Sequence, residues 1–241
     1  MMEQVEATCL EALHQAGIMI AENTFRKSCE FIQLMLETNR TVNLTAITDY
    51  QEALYKHLFD SLFIMKLPFW GKVDQIIDIG SGAGIPAILL AIADPNKRVA
   101  ALDATQKKVA FQQQAAQSLQ IPNFTSVWGR AEEIGKDPAY RDHFDLVIAR
   151  AVAAVNVLAE LTIPFAKPVT GIICLYKGKE YLEELQAGQN AIRILGGKVE
   201  EIVEIELPQN HGGRSLILIG KQRATPVEYP RRIGIPQKNP L

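Results

Sequence analysis

The chain has 241 residues, of which 48% are hydrophobic and 22% are charged, and its formal net charge is −2 at pH 7. This composition is close to that of an average soluble protein, which excludes a disordered chain or a fibrous repeat. The length allows one large domain, or one domain of ordinary size with an appended module. A small negative charge argues against a chain that binds nucleic acid over its whole surface, because phosphate binding requires an excess of Lys and Arg.

The sequence carries no signal for a membrane span or a metal site. Its longest apolar run, 85–93, is far shorter than the roughly 20 residues needed to cross a bilayer, and the N-terminus lacks the basic start and apolar core of a secretory signal. We therefore expect a soluble, cytoplasmic protein with no membrane partner. The cysteines and histidines are scattered, without the close pairs of zinc ligands, so we expect no bound metal and no disulfide framework.

Residues up to about 66 are predicted to be helical, and we interpret 1–66 as an N-terminal helical module. Apolar side chains recur there at helical spacing, and no strand pattern is evident. The residues that carry this periodicity are Phe25, Cys29, Ile32, Met35, Leu36, Leu54, Leu58 and Leu62.

From residue 75 onward, short apolar runs alternate with helical stretches. Strands are predicted near 75–79, 98–102, 124–128, 143–148 and 169–176, and helices near 86–93, 106–119, 153–165 and 178–195. This alternation indicates βαβ units, and therefore a parallel sheet covered by helices on both faces. Two final runs, 198–207 and 215–221, are joined by a turn-rich segment and predict an antiparallel hairpin. The predicted fold class is a doubly wound, mostly parallel, Rossmann-like α/β sheet, with 67–223 as its domain.

The end of the chain is a distinct basic segment. From residue 221 to the C-terminus there are five basic residues and one acid, Glu228. Three prolines limit helix formation after residue 229 and favour an extended strip that can follow a phosphate backbone. We therefore interpret 224–241 as a basic, Pro-rich tail. Packing of this tail against the sheet is the alternative.

A glycine loop follows the first predicted strand and leads into a helix, over Asp78–Pro86. Glycines let the backbone turn tightly and approach a ligand that a Cβ would keep away. The dinucleotide fingerprint would have its third glycine at the position of Ile85, whereas this chain has it at Gly84. The spacing favours the methionine and ribose groups of S-adenosylmethionine over the pyrophosphate of a nicotinamide cofactor. A strand–helix turn without a ligand is the remaining alternative.

Further polar residues follow the next predicted strands. Asp103 comes some twenty residues after the glycines, where a ribose-binding acid lies in such folds, although it can also be a helix cap. The loop Gly129–Glu133 can contact an adenine. Arg150 ends the fourth strand, at the sheet edge where open α/β folds bind ligands. The Asn/Asp-Pro-Pro-aromatic tetrapeptide of many enzymes that methylate exocyclic amines is not found here, so such an acceptor is not expected.

In their order, these motifs resemble those of the RsmG proteins, also called glucose-inhibited division protein B, which methylate N7 of a guanine in small-subunit ribosomal RNA. The matching residues are Asn39, Arg40, Asn43–Ile47, His57, Asp60, Ser61, Asp78–Pro86, Arg130–Glu132, Arg150–Ala153, Lys177, Gly178, Arg214 and much of Tyr229–Leu241. The resemblance implies S-adenosylmethionine as the methyl donor and 16S ribosomal RNA, or the small ribosomal subunit, as the partner.

The resemblance also implies which residues bind the donor. They are Gly80, Ile85, Ala131, Glu132 and Arg150, and in some members also Asp103, Ala104 and Thr105. The family's Gly-Phe-Pro-Gly reads Gly84-Ile85-Pro86-Ala87 here, a change that affects donor affinity rather than reaction type. Because guanine N7 has a free lone pair, no catalytic acid or base is predicted, and catalysis is expected to rest on alignment and exclusion of water.

The RNA contacts are expected among polar and basic residues outside the glycine loop. N7 lies in the deep, narrow groove of A-form RNA, so the target guanine must sit in a loop or be turned out of its stack. The candidates are Arg40, Asn43, His57, Lys177, Arg214, Arg231 and Arg232. Alternatively, Asn43 and Asp60 are helix caps and His57 is a core histidine. The alternative functions are a methyltransferase for a small metabolite and a non-catalytic, RNA-binding sensor of S-adenosylmethionine.

Overall fold

A seven-stranded sheet organises the computed structural model, which describes residues 2–150 and 153–241. The strands are β1 (Gln75–Ile79), β2 (Arg98–Asp103), β3 (Phe124–Trp128), β4 (Leu146–Arg150), β5 (Ile172–Lys177), β6 (Gly197–Glu206) and β7 (Gly213–Lys221). They lie in the order β3-β2-β1-β4-β5-β7-β6. The strands from β1 to β5 pair in parallel, whereas β7 is antiparallel to both β5 and β6. The predicted fold class, including the terminal hairpin, is confirmed.

Helices cover both faces of this sheet. They are α1 (Met2–Gln15), α2 (Glu22–Val42), α3 (Tyr50–Ala53), α4 (Asp60–Leu62), α5 (Ala87–Ala93), α6 (Gln106–Ser118), α7 (Ala131–Ile134), α8 (Val155–Thr162), α9 (Leu182–Ile194) and α10 (Ile235–Lys238). A π-helical segment, Leu54–Phe59, joins α3 to α4. Between residues 2 and 66 all regular structure is helical, as the periodicity predicts.

The alternation of side chains along the strands divides the core into two layers. In β4, Leu146 and Ile148 belong to the layer that contains the N-terminal helices, whereas Val147 and Ala149 belong to the layer beneath α8 and α9. Successive side chains of a strand point to opposite faces, so Arg150 continues the face of Leu146 and Ile148. The pleat therefore directs this guanidinium toward the N-terminal helices.

The N-terminal helices share their core with one face of the sheet. Cys9 and Leu13 of α1 and Phe31 and Ile32 of α2 are fully or almost fully buried, in the same apolar layer as Ile76 of β1. Burial of large apolar side chains is the main stabilising contribution to such packing. The N-terminal module is thus placed directly beside the carboxyl edge of β4, where Arg150 lies.

Two strands begin three residues later than the sequence pattern suggests. Before β4, Phe144 pairs only through an isolated bridge to Ala166, and the Asp145 carboxylate accepts the backbone N–H of Asp74 at 3.0 Å. Before β5, Val169 has a φ of +71°, a turn conformation that a strand does not allow. Turn geometry, which apolar content does not reveal, therefore sets both boundaries.

The order of strands reverses between β1 and β4, which creates a crevice at their carboxyl ends. Open α/β sheets bind ligands at such a point. Over the described ranges, no helix is long and apolar enough to cross a membrane. The same residues contain no cluster of three His, Cys, Asp or Glu side chains that could hold a metal ion.

Candidate functional site at the carboxyl edge of the sheet

Two cavities open at the carboxyl edge of the strands. The first, which we call the loop cavity, has a volume of about 400 Å³ and is lined by the glycine loop, the end of β2, the segment 129–132, α8 and the C-terminal tail. The second, which we call the arginine cavity, has a volume of about 340 Å³ and is lined by the Lys56–Asp60 segment, Arg150, Lys177 and Arg214. Most of the predicted site residues lie in one of these two cavities.

Five of the eight residues predicted to bind the donor line the loop cavity. They are Gly80, Asp103, Ala104, Ala131 and Glu132. Three others lie elsewhere: Ile85 is buried in the apolar core, Thr105 precedes α6, and Arg150 lines the arginine cavity. The donor roles predicted for all eight residues remain predictions.

The glycine loop has a backbone conformation that other residues rarely adopt. Gly80 has a φ of +72°, and its N–H donates to the carbonyl oxygen of Leu102 at 2.8 Å, so the loop turns back directly over β2. Gly84 has a φ of +85°, and a Cβ there would lie only 2.6 Å from Cδ1 of Ile88. Positive φ favours glycine because an L side chain is strained there. The loop backbone is thereby held at the floor of the cavity.

Asp103 joins the glycine loop to the end of β2. It is only 8% exposed, and its two carboxylate oxygens accept the backbone N–H of Gly82 at 2.9 Å and of Thr105 at 2.8 Å. An ionised carboxylate offers about four acceptor positions, so two remain for a ligand. Asp103 therefore holds the residue that precedes α6 and also lines the cavity, whereas its role in binding the ribose remains a prediction.

A second acid, Asp78, lies beneath the loop. It is fully buried at the end of β1, and neither of its carboxyl oxygens has a hydrogen-bonding partner among the described residues. Burial raises the pKa of Asp78 to about 8, although the positive charge of Arg150 opposes that shift. Ionisation of a buried carboxyl without a partner is costly, so near pH 7 Asp78 is mostly in its neutral form.

Sequence reasoning missed Gln112, which holds the loop from the side of α6. Its amide nitrogen donates to Oγ of Ser81 and to the carbonyl oxygen of Gly82, at 2.8 Å in each case. Gln112 is fully buried. Only its position among three consecutive glutamines marks it in the sequence, and helical periodicity does not distinguish which of them faces inward.

The C-terminal tail closes one side of the loop cavity, which the sequence did not indicate. Ile233, Gly234, Pro236 and Gln237 line the cavity, and the N–H of Gly234 donates to Oε1 of Glu132 at 3.0 Å. The expectation of an extended strip is wrong for Ile235–Lys238, which is helical. Pro236 lies in the first turn of this helix, where the missing N–H costs nothing.

Arg231 is also engaged by the body of the protein. Its guanidinium pairs with Glu160 of α8, and NH2 lies 2.6 Å from Oε2. The adjacent Arg232 is exposed. The two arginines predicted to contact RNA therefore have different surroundings: Arg231 is paired and only partly exposed, whereas Arg232 is exposed.

The arginine cavity brings together three of the predicted RNA contacts, His57, Lys177 and Arg214, with Arg150. Its lining contains four cationic side chains, Lys56, Arg150, Lys177 and Arg214, against the carboxylates of Asp60 and Glu184. An excess of positive charge in a cavity suits a phosphorylated or otherwise anionic partner.

Asp60 and His57 hold the arginines in place. NH1 of Arg150 lies 3.2 Å from Oδ2 of Asp60, and Nε of Arg214 lies 3.3 Å from the same oxygen. NH2 of Arg150 lies 2.9 Å from Nδ1 of His57. Because a guanidinium can only donate, Nδ1 must be the unprotonated nitrogen. Burial, together with the charge of Arg150, lowers the pKa of His57 to about 3, so this histidine is neutral.

The motif after α2 supports His57. Oγ1 of Thr45 lies 2.9 Å from Nε2 of His57, and Oδ1 of Asn39 accepts the N–H of Thr45 at 2.9 Å. Since Nδ1 accepts from Arg150, Nε2 carries the proton and donates to Thr45. A chain of contacts from Asn39 to Arg150 therefore links the N-terminal module to the sheet edge.

The remaining predicted residues lie outside both cavities. Arg40 lines a separate surface cleft with Asn39 and Tyr50. Asn43 is exposed and ends α2 in the left-handed conformation, with a φ of +56°, so it is the helix cap that the sequence allowed. The Arg150–Ala153 motif includes Ala151 and Val152, which lie outside the described residues.

The comparisons with known proteins agree in family and fold. The family described as rRNA small subunit methyltransferase G matches residues 25–212. "Ribosomal RNA small subunit methyltransferase G" of Pelotomaculum thermopropionicum is 40% identical over 240 residues, which cover 100% of each chain. The protein of the same name from Oceanobacillus iheyensis is also 40% identical, over 96% of this chain and 97% of its own.

Solved structures show the fold at much lower sequence identity. An O-methyltransferase from Bacillus cereus, solved in complex with SAH, superposes with a TM-score of 0.54 at 16% identity, over 80% of this chain and 91% of its own. The [4+2]-cyclase SpnF gives the same TM-score, 0.54, at 13% identity, over 81% of this chain and 95% of its own. Since a cyclase shares the fold, the architecture alone does not assign a reaction.

Proposed function

Because this chain belongs to the rRNA small subunit methyltransferase G family, we propose that it transfers the methyl group of S-adenosylmethionine to N7 of a guanine in 16S ribosomal RNA. The observation that carries the proposal is the loop cavity, in which Gly80, Asp103 and Glu132 meet at the switch point of the sheet. Relatives that match over the full length of this chain carry the corresponding name. The fold relative from B. cereus was solved with SAH, the demethylated form of the donor.

The chemistry of the loop cavity fits this donor. The free acceptor positions of Asp103 suit the two ribose hydroxyls. Ala104, Gly129 and Ala131 have small side chains and leave space for a planar base, and Val157 supplies an apolar wall. Beneath the loop, a cationic ligand would favour the ionised form of Asp78, whose pKa burial raises to about 8.

The residues of this chain act by binding and alignment. When bound, the donor supplies a methyl group on a positively charged sulfur. Guanine N7 needs no deprotonation at neutral pH, so no residue is required as a general base. Orientation of the reactants and exclusion of water account for the rate enhancement through a high effective molarity. Positive charge passes to the purine, so a carboxylate near the base favours the reaction electrostatically, and Asp60 is such a carboxylate in the arginine cavity. The guanidinium of Arg150 is engaged by His57 and Asp60.

The arginine cavity supports an RNA substrate over a small metabolite. Its four cationic side chains lie beside the same sheet edge as the loop cavity, and Arg150 in the one is followed three residues later by Ala153 in the other. A flipped nucleotide carries phosphates that such cations attract. We place the target guanine and its phosphates at this cavity, with Lys177 and Arg214 among the contacts, while His57 holds Arg150 and has both ring nitrogens engaged.

The experiment that tests this function maps the product. The full chain is incubated with donor labelled in its methyl group and, in separate reactions, with small subunits that lack the modification, naked 16S RNA and total small metabolites. We expect label at N7 of a guanine with one of the two RNA substrates. Label only in metabolites would identify a small-molecule methyltransferase, and donor binding without any transfer would identify a sensor.

A further inference from the structure

The C-terminal tail is fixed to the body of the protein before it reaches the loop cavity. The guanidinium of Arg141 donates to the carbonyl oxygens of Thr225 and Tyr229, at 2.7 Å in each case. Oγ1 of Thr225 donates to the carbonyl oxygen of Leu195 at 2.8 Å, and Thr225 is buried. These bonds define the path of the tail over the layer that contains α8 and α9.

One ion pair then fastens the tail to α8. The Glu160 carboxylate is fully buried, and it accepts from the backbone N–H of Arg231 at 2.7 Å, from Nε at 2.9 Å and from NH2 at 2.6 Å. A buried carboxylate without its cation is strongly unfavourable, and a bidentate arginine is the partner that satisfies both oxygens. Glu160 therefore holds Arg231 in one position.

The residues after Arg231 form the wall of the loop cavity. Gly234 donates its N–H to Glu132, and Pro236 is buried. Glu132 thus lies between the tail and the space assigned to the donor, and it contributes to both. The tail also lies beyond residue 212, where the match to the family ends.

We propose that the C-terminal tail is a wall of the methyl-donor site, and that Arg231 and Glu160 are positioning residues that hold this wall against the adenosyl part of S-adenosylmethionine. The inference rests on the proposed function, because it requires the donor to occupy the loop cavity. It gives Arg231 a role different from the RNA contact expected from sequence.

The adenosyl part is favoured by the chemistry of the neighbouring residues. Ile233 and Pro236 present apolar surface beside Ala131, and a planar base gains most from burial between apolar surfaces. Glu132 keeps Oε2 as a further acceptor, while its Oε1 accepts from Gly234. Loss of the tail would expose this side of the cavity to water and leave Glu132 without a fixed position.

The test measures the affinity of the full chain for S-adenosylhomocysteine by calorimetry, without RNA. We expect Arg231→Ala to weaken binding on the order of tenfold, and Arg231→Lys to weaken it less, because a lysine keeps the charge but cannot bind both oxygens of Glu160. Arg232→Ala is the matched control: it removes the same charge from the adjacent, exposed position and leaves this affinity unchanged.

Two further measurements separate the possible failures. Asp103→Ala tests whether the donor occupies the loop cavity. If Asp103→Ala weakens binding and Arg231→Ala does not, the tail proposal is overturned. If neither variant weakens binding, the assignment of the donor to the loop cavity fails as well. If Arg231→Ala does not fold, hydrogen exchange of the unmodified chain tests the proposal instead. Slower exchange of the Gly234 amide on addition of S-adenosylhomocysteine supports the proposal, and unchanged exchange there contradicts it.

Discussion

The guanidinium of Arg150 lies 2.9 Å from Nδ1 of His57, and this contact makes the histidine an acceptor. Protonation of Nδ1 would place two positive groups in contact in a buried site. The pKa of His57 is accordingly lowered to about 3 by burial and by the charge of Arg150. His57 is thus a fixed, neutral ligand of the arginine rather than a proton donor in the reaction.

This depressed pKa predicts a loss of stability in acid. The unfolded chain binds a proton at His57 below about pH 6.5, whereas the folded chain does not, so the stability is complete above pH 6.5 and falls as the pH decreases toward 3. Between pH 7 and 5 the free energy of unfolding should fall by about 2 kcal/mol because of His57. Urea unfolding of the unmodified chain and of His57→Gln at both pH values measures this decrease.

The difference between the two proteins isolates His57, because all other groups titrate in both. His14→Gln is the control, since Nε2 of that histidine lies 3.3 Å from a backbone carbonyl oxygen, that of Ile20. If His57→Gln loses as much stability between pH 7 and 5 as the unmodified chain, the histidine titrates normally and the contact with Arg150 is not maintained in solution.

We predict that binding of S-adenosylmethionine releases a proton from Asp78. Burial raises the pKa of Asp78 to about 8, so most of these carboxyls are protonated at pH 7 in the free protein. A cationic ligand nearby favours the ionised form, and affinity for S-adenosylmethionine should therefore rise as the pH increases from 6 to 8. Calorimetry at pH 7 in buffers of different ionisation enthalpy counts the protons released.

Two comparisons make this prediction specific. S-adenosylhomocysteine lacks the charge on sulfur and should release fewer protons than S-adenosylmethionine. Asp78→Asn cannot titrate and should abolish the pH dependence. Equal proton release by Asp78→Asn and the unmodified chain would assign the linkage to another group.

Asp103→Ala should weaken binding of S-adenosylhomocysteine by about 1–3 kcal/mol, the usual cost of leaving buried polar groups unpaired. The variant loses the acceptor for the ribose and also the acceptor for the N–H of Gly82, so the glycine loop becomes less ordered. Asp137→Ala is a suitable control, because Asp137 accepts the N–H of Ala139 in an exposed turn outside both cavities. Unchanged affinity in a folded Asp103→Ala protein would limit Asp103 to its contacts with the backbone of Gly82 and Thr105.

The sequence predicted the sheet and the position of the glycine loop because both depend on local patterns. The apolar runs of β1 and β3 coincide with the observed strands, and Asp103 ends β2 as expected. Which side of the loop a residue faces is not local information. Ile85, which is predicted to contact the donor, is buried in the apolar core, and its contact with the donor remains a prediction.

The features of the site that the sequence did not predict depend on contacts between residues far apart in the chain. Arg150 could be placed at the sheet edge from its strand, but its partners His57 and Asp60 belong to the N-terminal module and are brought there by the packing of the helices. Similarly, Glu160 lies within a mostly apolar helix, and nothing near it in the sequence identifies Arg231 as its partner. Buried charge pairs of this kind become evident only in the folded chain.

Asp60 should be essential to the arrangement of the arginine cavity. Its side chain is fully buried and contacts both Arg150 and Arg214. Removing one partner of a buried pair typically costs 3–5 kcal/mol, and because the two arginines are partly exposed we expect about 2–3 kcal/mol for Asp60→Ala. Chemical denaturation measures this loss, and Asp49→Ala, which removes only an exposed helix cap, provides the comparison. A loss no greater than that of Asp49→Ala would show that the arginines find other acceptors.

The final prediction concerns the role of the arginine cavity in RNA binding. If Lys177 and Arg214 contact phosphates, replacing either by Ala weakens the affinity for RNA and makes its dependence on salt shallower, by about 0.7–0.9 in the slope of log K against log salt for each phosphate lost. Affinity for S-adenosylhomocysteine should be unchanged in Arg214→Ala, because Arg214 does not line the loop cavity, whereas Lys177 donates to the carbonyl oxygen of Ala153, which does. Filter binding to an RNA fragment over a range of salt concentrations measures both quantities.

Lys179→Ala is the matched control for Lys177→Ala. Lys179 lies two residues further along, its side chain is 64% exposed, and it pairs with Glu206 outside both cavities. Loss of this charge should leave the salt slope as it is, which separates contact with a phosphate from a general decrease in positive charge. If Lys177→Ala and Lys179→Ala lower RNA affinity equally, the cavity has no specific part in binding. The RNA surface must then be sought around the exposed residues Arg40 and Arg232.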